Sequence, residues 1–171
     1  MHTAHFYNGA LYVIGGRHLP KDEPLTKIEF TKDIYKLEFE TKETGEGEDK
    51  KIERKYYCSE KMEMPDVRAA HCSVQHGKYV IIYSGTNGMK FINNCLRLDL
   101  ETKQWQKMKM YDDRVQHVFS PEICGRIAVS TAASSNLGMF FGGCSAEKEH
   151  NDFWQLELSK IDDDENFEEV D

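Results

Sequence analysis

The chain has 171 residues, of which 39% are hydrophobic, and this length and composition favour one domain with a packed core. The formal net charge of -8 argues against a nucleic-acid partner, because nucleic-acid binding relies mainly on Lys and Arg that neutralise phosphates. No run of about eighteen apolar residues occurs and the N-terminal residues do not resemble a signal peptide, so we expect neither a membrane partner nor a secretory signal.

The chain has five cysteines. An odd number of cysteines spread widely along a chain is not typical of a disulfide framework. Because cytosolic compartments keep thiols reduced, we expect free cysteines and a cytoplasmic location. No pair has CxxC spacing and the seven histidines are scattered, whereas a zinc site takes about four ligands at short spacings. We therefore expect no metal site and no cofactor; the cysteines are Cys58, Cys72, Cys95, Cys124 and Cys144.

The first repeated pattern begins near the N-terminus. An apolar stretch, Leu11 to Gly16, ends in two glycines and is followed by a polar loop, Arg17 to Lys32. The next segment, Lys32 to Phe39, alternates apolar and polar residues, which predicts a strand with one buried face. The polar stretch Thr41 to Lys55 has no apolar pattern, so we predict a long solvated hairpin loop there.

The second and third copies repeat this order. In the second, Val80 to Gly85 precedes the alternating segment Asn93 to Leu100, and Trp105 follows. In the third, Gly138 to Gly143 precedes Asn151 to Leu158. Copies of the alternating segment start 61 and then 58 residues apart, counted from Asp33 to Asn94 and from Asn94 to Asp152. We predict that the place of Trp105 is taken by Tyr56 or Tyr57 in the first copy and by Phe167 in the third.

A second set of residues is in phase with these copies. Arg68 lies sixteen residues before Ser84, and Arg126 lies sixteen before Gly142. The same register aligns His71 with His2. An arginine that recurs with a repeat indicates a structural role in joining strands.

These residues resemble the kelch family of β-propeller repeats, which run about 50 residues per four-stranded blade. The resemblance implies an all-β fold of three four-stranded antiparallel blades, half of a six-bladed ring, with repeats at about 1–61, 62–113 and 114–171. The resemblance also implies that His71 and His2, which align with the histidine of the kelch repeat, have a structural role and bond inside the blade. Ser84 in place of the first glycine and Val129 in place of the histidine depart from the pattern. The matching residues are His2, Gly15, Gly16, Asp33, Tyr35 and Leu37; Arg68, His71, Ser84, Gly85, Asn94, Leu96 and Trp105; and Arg126, Gly142, Gly143, Asp152, Trp154 and Leu156.

Blade packing explains the residue types. Continuously apolar strands are expected between the neighbouring blades, so Leu11 to Ile14, Val80 to Tyr83 and Met139 to Phe141 are predicted to be buried. Trp105 is predicted to be buried between blades. Short polar side chains before the alternating strands, such as Asn94, can hold the turn through backbone amides.

The chain offers no catalytic constellation. No GxSxG, P-loop or HExxH motif occurs, and the acidic run Asp162 to Asp164 lacks the glycine of a calcium loop. We therefore expect that the chain is not an enzyme. The acidic C-terminal segment is expected to form a last strand around Phe167 and then a frayed tail.

The loops that follow the glycine steps are the predicted binding site, because insertions in repeat proteins map to one face that is often the binding face. These loops are Arg17 to Lys32, Thr86 to Asn93 and Cys144 to Asn151. Cations would give this rim a locally basic character, and two apolar side chains would add anchors of the kind enriched in interfaces. The predicted partner-binding residues are Arg17, His18, Lys21, Met89, Lys90, Phe91, Lys148 and His150.

The favoured function is a scaffold or adaptor whose propeller face binds a protein partner, for which an acidic peptide segment is one candidate. The alternatives are the regulatory propeller of an enzyme whose catalytic domain lies elsewhere, or a structural subunit of a large assembly. Three blades fall short of the four to eight of closed propellers. The ring would therefore be completed by further kelch blades of a longer protein or by a second chain, and we expect the isolated chain to associate.

Overall fold

Blade 1 is a four-stranded antiparallel sheet built from the first repeat. In the computed structural model, which describes residues 1–44, 51–109 and 125–170, its strands are β1 (Thr3–Tyr7), β2 (Ala10–His18), β3 (Glu29–Thr44) and β4 (Lys51–Glu63). They pair in chain order. A two-residue turn at Asn8 and Gly9, both with positive φ, joins β1 to β2, as the twist of a tight hairpin requires.

Two further antiparallel sheets follow. Blade 2 contains β5 (Cys72–His76), β6 (Tyr79–Tyr83), β7 (Cys95–Asp99) and β8 (Trp105–Met108). Blade 3 contains β9 (Ser130–Ala133), β10 (Leu137–Phe141) and β11 (Phe153–Glu157). The three sheets confirm the predicted all-β fold; the helical segments among the described residues are 3-10 turns at Leu25–Lys27, Leu158–Lys160 and Asp164–Asn166.

The last strand joins a different sheet from the one predicted. β12 (Phe167–Glu169) pairs with β8, so blade 2 gains a fifth strand and blade 3 has three among the described residues. The reason lies in the buried Arg97. Its guanidinium lies 4.0 Å from the centroid of the Phe167 ring and donates to the Ile161 carbonyl and to Asp164, which draws the C-terminal segment toward blade 2. Phe167 therefore does not take the place of Trp105 in the third repeat.

Strands replace much of two predicted loops. Within the predicted hairpin loop Thr41 to Lys55, residues 41–44 and 51–55 belong to β3 and β4, with Thr44 opposite Lys51. Arg17 and His18 belong to β2, where they pair with Phe30 and Glu29. Alternation of apolar and polar residues reveals a strand only where one face of the strand is buried. These strand ends are polar and lie on an exposed ribbon held by backbone hydrogen bonds, so the sequence pattern did not predict them.

Burial differs among the three predicted central strands. Val80 to Tyr83 is buried as predicted, but Leu11 and Phe141 are exposed. The reason is that, within the part of the chain that the structure describes, blade 2 has a blade on each side and blades 1 and 3 have one neighbour each. One apolar cluster fills the gap between blade 2 and blade 1, and a second fills the gap between blade 2 and blade 3. Trp105 is only partly buried at the edge of the first cluster, with its Nε1 donating to the Glu63 carbonyl at 3.1 Å.

No helix among the described residues is long and apolar enough to cross a membrane.

Candidate functional site

The repeat arginines fix the strand ends from which the rim loops project. The fully buried Arg68 donates to the Ser84 carbonyl at 3.1 Å, to the Asn94 side chain, and to both carboxylate oxygens of Asp66 at 2.9 and 2.7 Å. One guanidinium therefore holds the ends of β6 and the start of β7 together. This confirms the predicted structural role of the arginine and gives Asn94 a partner that sequence reasoning missed.

Arg126 repeats the arrangement in blade 3. It donates to the Gly142 carbonyl at 3.2 Å and to both oxygens of Asp152, one of them at 2.7 Å. These partners lie sixteen and twenty-six residues further along the chain, as they do for Arg68. The hydrogen bonds from the guanidinium lower the pKa of Asp152 to about 2.

Ser84 shows why a serine can replace the repeat glycine. Its φ of 59° matches the 57° of Gly15 and the 68° of Gly142, so the backbone keeps the left-handed conformation of the repeat. The buried hydroxyl lies 2.7 Å from the Arg126 carbonyl and accepts a hydrogen bond from the Arg126 N–H. The substitution therefore adds a direct bond between blades 2 and 3.

In blade 1 the polar groups are arranged around Asp33. The Asp33 carboxylate accepts hydrogen bonds from Lys61 at 3.0 Å and from the Tyr35 hydroxyl at 2.9 Å. A cleft of about 230 Å³ lies beside these groups. It is lined by His2, Val13, Gly15, Gly16, Arg17, His18, Thr31, Asp33 and Tyr35.

Two histidines lie between blades 1 and 2. His71 Nε2 lies 2.8 Å from Thr3 Oγ1, and His5 Nε2 lies 2.6 Å from Ser73 Oγ. Burial lowers the pKa of His71 to about 3 and that of His5 to about 4, since a charged imidazole loses its hydration there. His71 has a structural role as predicted, but the prediction that it bonds inside its own blade is wrong, because its partner Thr3 belongs to blade 1. His2, for which the same role was predicted, is exposed.

The second and third rim loops form matching turns. In one, the Asn87 side chain accepts hydrogen bonds from the backbone N–H groups of Met89 and Lys90, both at 3.0 Å. In the other, the Ser145 hydroxyl accepts from the N–H groups of Glu147 and Lys148, at 3.3 and 3.4 Å. Such side-chain caps hold a loop in one conformation without a packed core beneath it. The sequence signal for them was a short polar residue at the same place in two repeats.

Close packing positions the first of these turns. A Cβ at Gly88 would lie 2.8 Å from the Phe30 ring, so with any other residue the ring or the turn would have to shift. On the other side, a Cβ at Gly125 would lie 2.7 Å from the Ile92 carbonyl oxygen. The loop is therefore supported on both sides.

A cleft of about 570 Å³ lies between the two turns. Met89 stands at its edge with 91% of its surface exposed, while Phe91 is partly buried. Lys90 and Glu147 contribute one charge of each sign, and glycines and small side chains form the rest of the wall, which gives a largely apolar groove. Its lining residues are Thr86, Gly88, Met89, Lys90, Phe91, Gly125, Ser145, Ala146 and Glu147.

The structure divides the predicted binding residues. Met89, Lys90 and Phe91 line the larger cleft, and Arg17 and His18 line the smaller cleft of blade 1. The other three line neither; these are Lys21, Lys148 and His150.

The rim is less basic than predicted. Over the three predicted loops, six Lys and Arg face five Asp and Glu, so the charges nearly balance. The Oε2 atom of Glu29 lies 3.5 Å from Nε2 of His18, and Glu147 lines the larger cleft. Carboxylates in the same loops, which the prediction left out, explain the difference.

Within residues 1–44, 51–109 and 125–170, no group of three or more His, Cys, Asp and Glu side chains is placed to hold a metal ion. The four cysteines in these ranges are free; Cys124 lies outside them. Burial raises the pKa of the Cys72 thiol to about 12, which keeps it protonated and unreactive.

Comparison with known proteins identifies the repeat. A family model described as the KLHDC2/KLHL20/DRC7 Kelch-repeats domain matches residues 1–165. A solved structure titled "Structure of YjhT" is similar with a TM-score of 0.63 and 14% sequence identity, a likeness that shows the fold. The alignment covers 99% of this chain and 51% of that one, so this chain spans about half its length. No curated protein matches the chain.

Proposed function

Because the chain belongs to the KLHDC2/KLHL20/DRC7 Kelch-repeats domain family, we propose that it is a scaffold or adaptor that binds a segment of a partner protein at its rim. The observation that carries this proposal is the cleft between the two capped turns, with the exposed Met89 at its edge. An isolated exposed methionine is unremarkable, but one beside a preformed apolar groove can anchor a ligand.

The charges around the cleft favour a partner held chiefly by an apolar side chain. Lys90 and Glu147 both line the groove, and exposed ion pairs contribute only about 0–1 kcal/mol each. An extended segment could place an apolar side chain against Met89 and Phe91 while a carboxylate meets Lys90. Of the acidic partner segment predicted from the sequence, one carboxylate in contact with Lys90 is therefore retained.

The proposal assigns no catalytic step to the chain and places it in the cytoplasm, where its free thiols would stay reduced. The two alternative functions differ from this one in their neighbours. A regulatory propeller would adjoin a catalytic domain, and a structural subunit would adjoin other chains of an assembly.

The test uses a random octapeptide library displayed on phage and selected on the purified chain. Peptides that are enriched would be synthesised and their affinity measured by calorimetry against Met89→Asp, Lys90→Glu and the control Lys148→Glu. Met89→Asp should weaken binding at least about tenfold because it places a charge at the apolar anchor. Lys90→Glu should weaken it by less, and Lys148→Glu, on the same rim but outside the cleft, should leave it unchanged.

Two results would reject the cleft as the site. One is a selection that enriches no peptide; the other is an enriched peptide whose affinity is the same for the wild type and for Met89→Asp.

A further inference from the structure

The front face of blade 1, defined here as the side turned away from blade 2, is apolar and uncovered. Phe6 is 60% exposed, and Leu11, Tyr35 and Phe39 are also exposed. Strand pairing places Leu11 opposite Phe6 on one side and opposite Leu37 on the other, so these side chains form one continuous surface.

The equivalent face of blade 2 is covered. By the repeat register, Leu11, Tyr35 and Phe39 correspond to Val80, Leu96 and Leu100, which are at most 4% exposed. Val80 and Leu100 belong to the cluster that blade 1 covers. The same type of surface is therefore buried wherever a preceding blade is present.

The back face of blade 3 is the complementary open surface. Phe141 and Phe153 lie directly opposite each other in β10 and β11, and each is 52% exposed. Their equivalents in blade 2 are Tyr83 and Cys95, both buried in the cluster that blade 3 covers. Two apolar faces are thus exposed: the front face of blade 1 and the back face of blade 3.

Backbone groups are also left open at the same end. The Gly16 and Gly85 N–H groups each donate to the following blade, to the carbonyls of Arg68 at 2.8 Å and of Arg126 at 2.7 Å. The equivalent Gly143 N–H has no backbone acceptor among the described residues, and the Ala128 carbonyl has no backbone donor there. The equivalent carbonyl in blade 2, that of Ala70, accepts from Ala128 of blade 3.

We propose that a second copy of this chain covers both faces, with blade 3 of each copy packed head to tail on blade 1 of the other. The contact would continue an interface that the chain already makes twice, between blades 1 and 2 and between blades 2 and 3. Two copies give six blades, within the range of closed propellers.

Light scattering on the purified chain tests the proposal independently of the rim cleft. The wild type should have twice the monomer mass of 19.8 kDa at concentrations up to about 100 µM. Leu11→Glu on the front face and Phe153→Glu on the back face should each shift the mass toward the monomer. The control Met89→Glu places the same charge on an exposed apolar residue outside both faces and should leave the mass unchanged.

Mixing the two variants distinguishes head-to-tail pairing from other dimers. An equimolar mixture of Leu11→Glu and Phe153→Glu should recover the dimer mass, because one of its two interfaces joins two wild-type faces. Circular dichroism verifies folding, and Leu11→Ser and Phe153→Ser replace any variant that does not fold. A wild type that stays monomeric, variants that keep the dimer mass, or a mixture that does not recover it would each overturn the proposal.

Discussion

Blade 2 and the blades beside it share one sequence pattern and differ in what covers them. Val80 in blade 2 is fully buried, while its equivalent in blade 1, Leu11, is exposed. On the other face Tyr83 is buried, while its equivalent in blade 3, Phe141, is half exposed. The difference shows that a kelch strand is buried by the neighbouring blades. The repeat supplies the apolar side chains, and the number of blades packed against a given blade decides how many of those side chains are buried.

The arginine network should give the largest difference between blades. Arg68→Ala should lower the free energy of unfolding by about 3–5 kcal/mol, because it leaves buried polar partners unsatisfied. Arg17→Ala, an exposed arginine of blade 1, should change it by less than about 0.5 kcal/mol. Urea denaturation of both variants measures the contrast; equal losses would show that Arg68 does not organise blade 2.

Equivalent leucines on the front faces sharpen the comparison. Leu98→Ala in blade 2 should cost about 2–5 kcal/mol, since the side chain is fully buried. Leu37→Ala, at the same repeat position in blade 1, is only partly buried and should cost about 1 kcal/mol or less in the monomer. Denaturation at low protein concentration compares them, and a Leu37 cost as large as that of Leu98 would mean that the front face of blade 1 is covered.

The interface between blades 1 and 2 should be sensitive to pH. His5 and His71 stay neutral in the folded chain down to about pH 4 and about pH 3, whereas in the unfolded chain they are protonated below about pH 6.5. The folded state therefore binds fewer protons, and stability is lost as the pH falls below 6.5. At pH 5 the loss should be on the order of 2 kcal/mol for each histidine.

Denaturation between pH 7 and pH 5 measures this loss. His71→Gln should flatten the dependence relative to the wild type, because it removes one of the two buried imidazoles. A wild-type stability that does not vary over this interval would contradict the assignment.

The smallest expected effect concerns the contact between blades 2 and 3. Ser84→Ala should cost about 1–2 kcal/mol, because the Arg126 N–H and carbonyl lose the hydroxyl. Ser84→Gly should cost less, because glycine relieves the left-handed φ. Thermal unfolding of the two variants ranks them; a Ser84→Gly protein more stable than the wild type would mean that backbone strain outweighs the hydrogen bonds.

Much of the fold was predictable because the repeat is periodic. The positions of Arg68 and Arg126, each sixteen residues before a left-handed residue, indicated a shared structural role, and both make the same hydrogen bonds. The rim cleft was predictable in part: Met89 and Phe91 line it, but the wall provided by Ser145, Ala146 and Glu147 was not recognised. Small and acidic residues carry little signal of their own, since their role depends on the turn opposite.

The sequence by itself determined the repeat, the all-β class, the paired strands and the residues that hold each blade together, because these depend on short-range alternation and on fixed spacings. Only the tertiary structure decided three other features. Phe167 joined blade 2 because the buried Arg97, 70 residues earlier, binds its segment. Arg17 and His18 separated from the larger cleft because β2 continues through them. The outer faces stayed open because, among the described residues, no blade packs on them. Each depends on which distant surfaces meet, and a pattern along one chain does not contain that information.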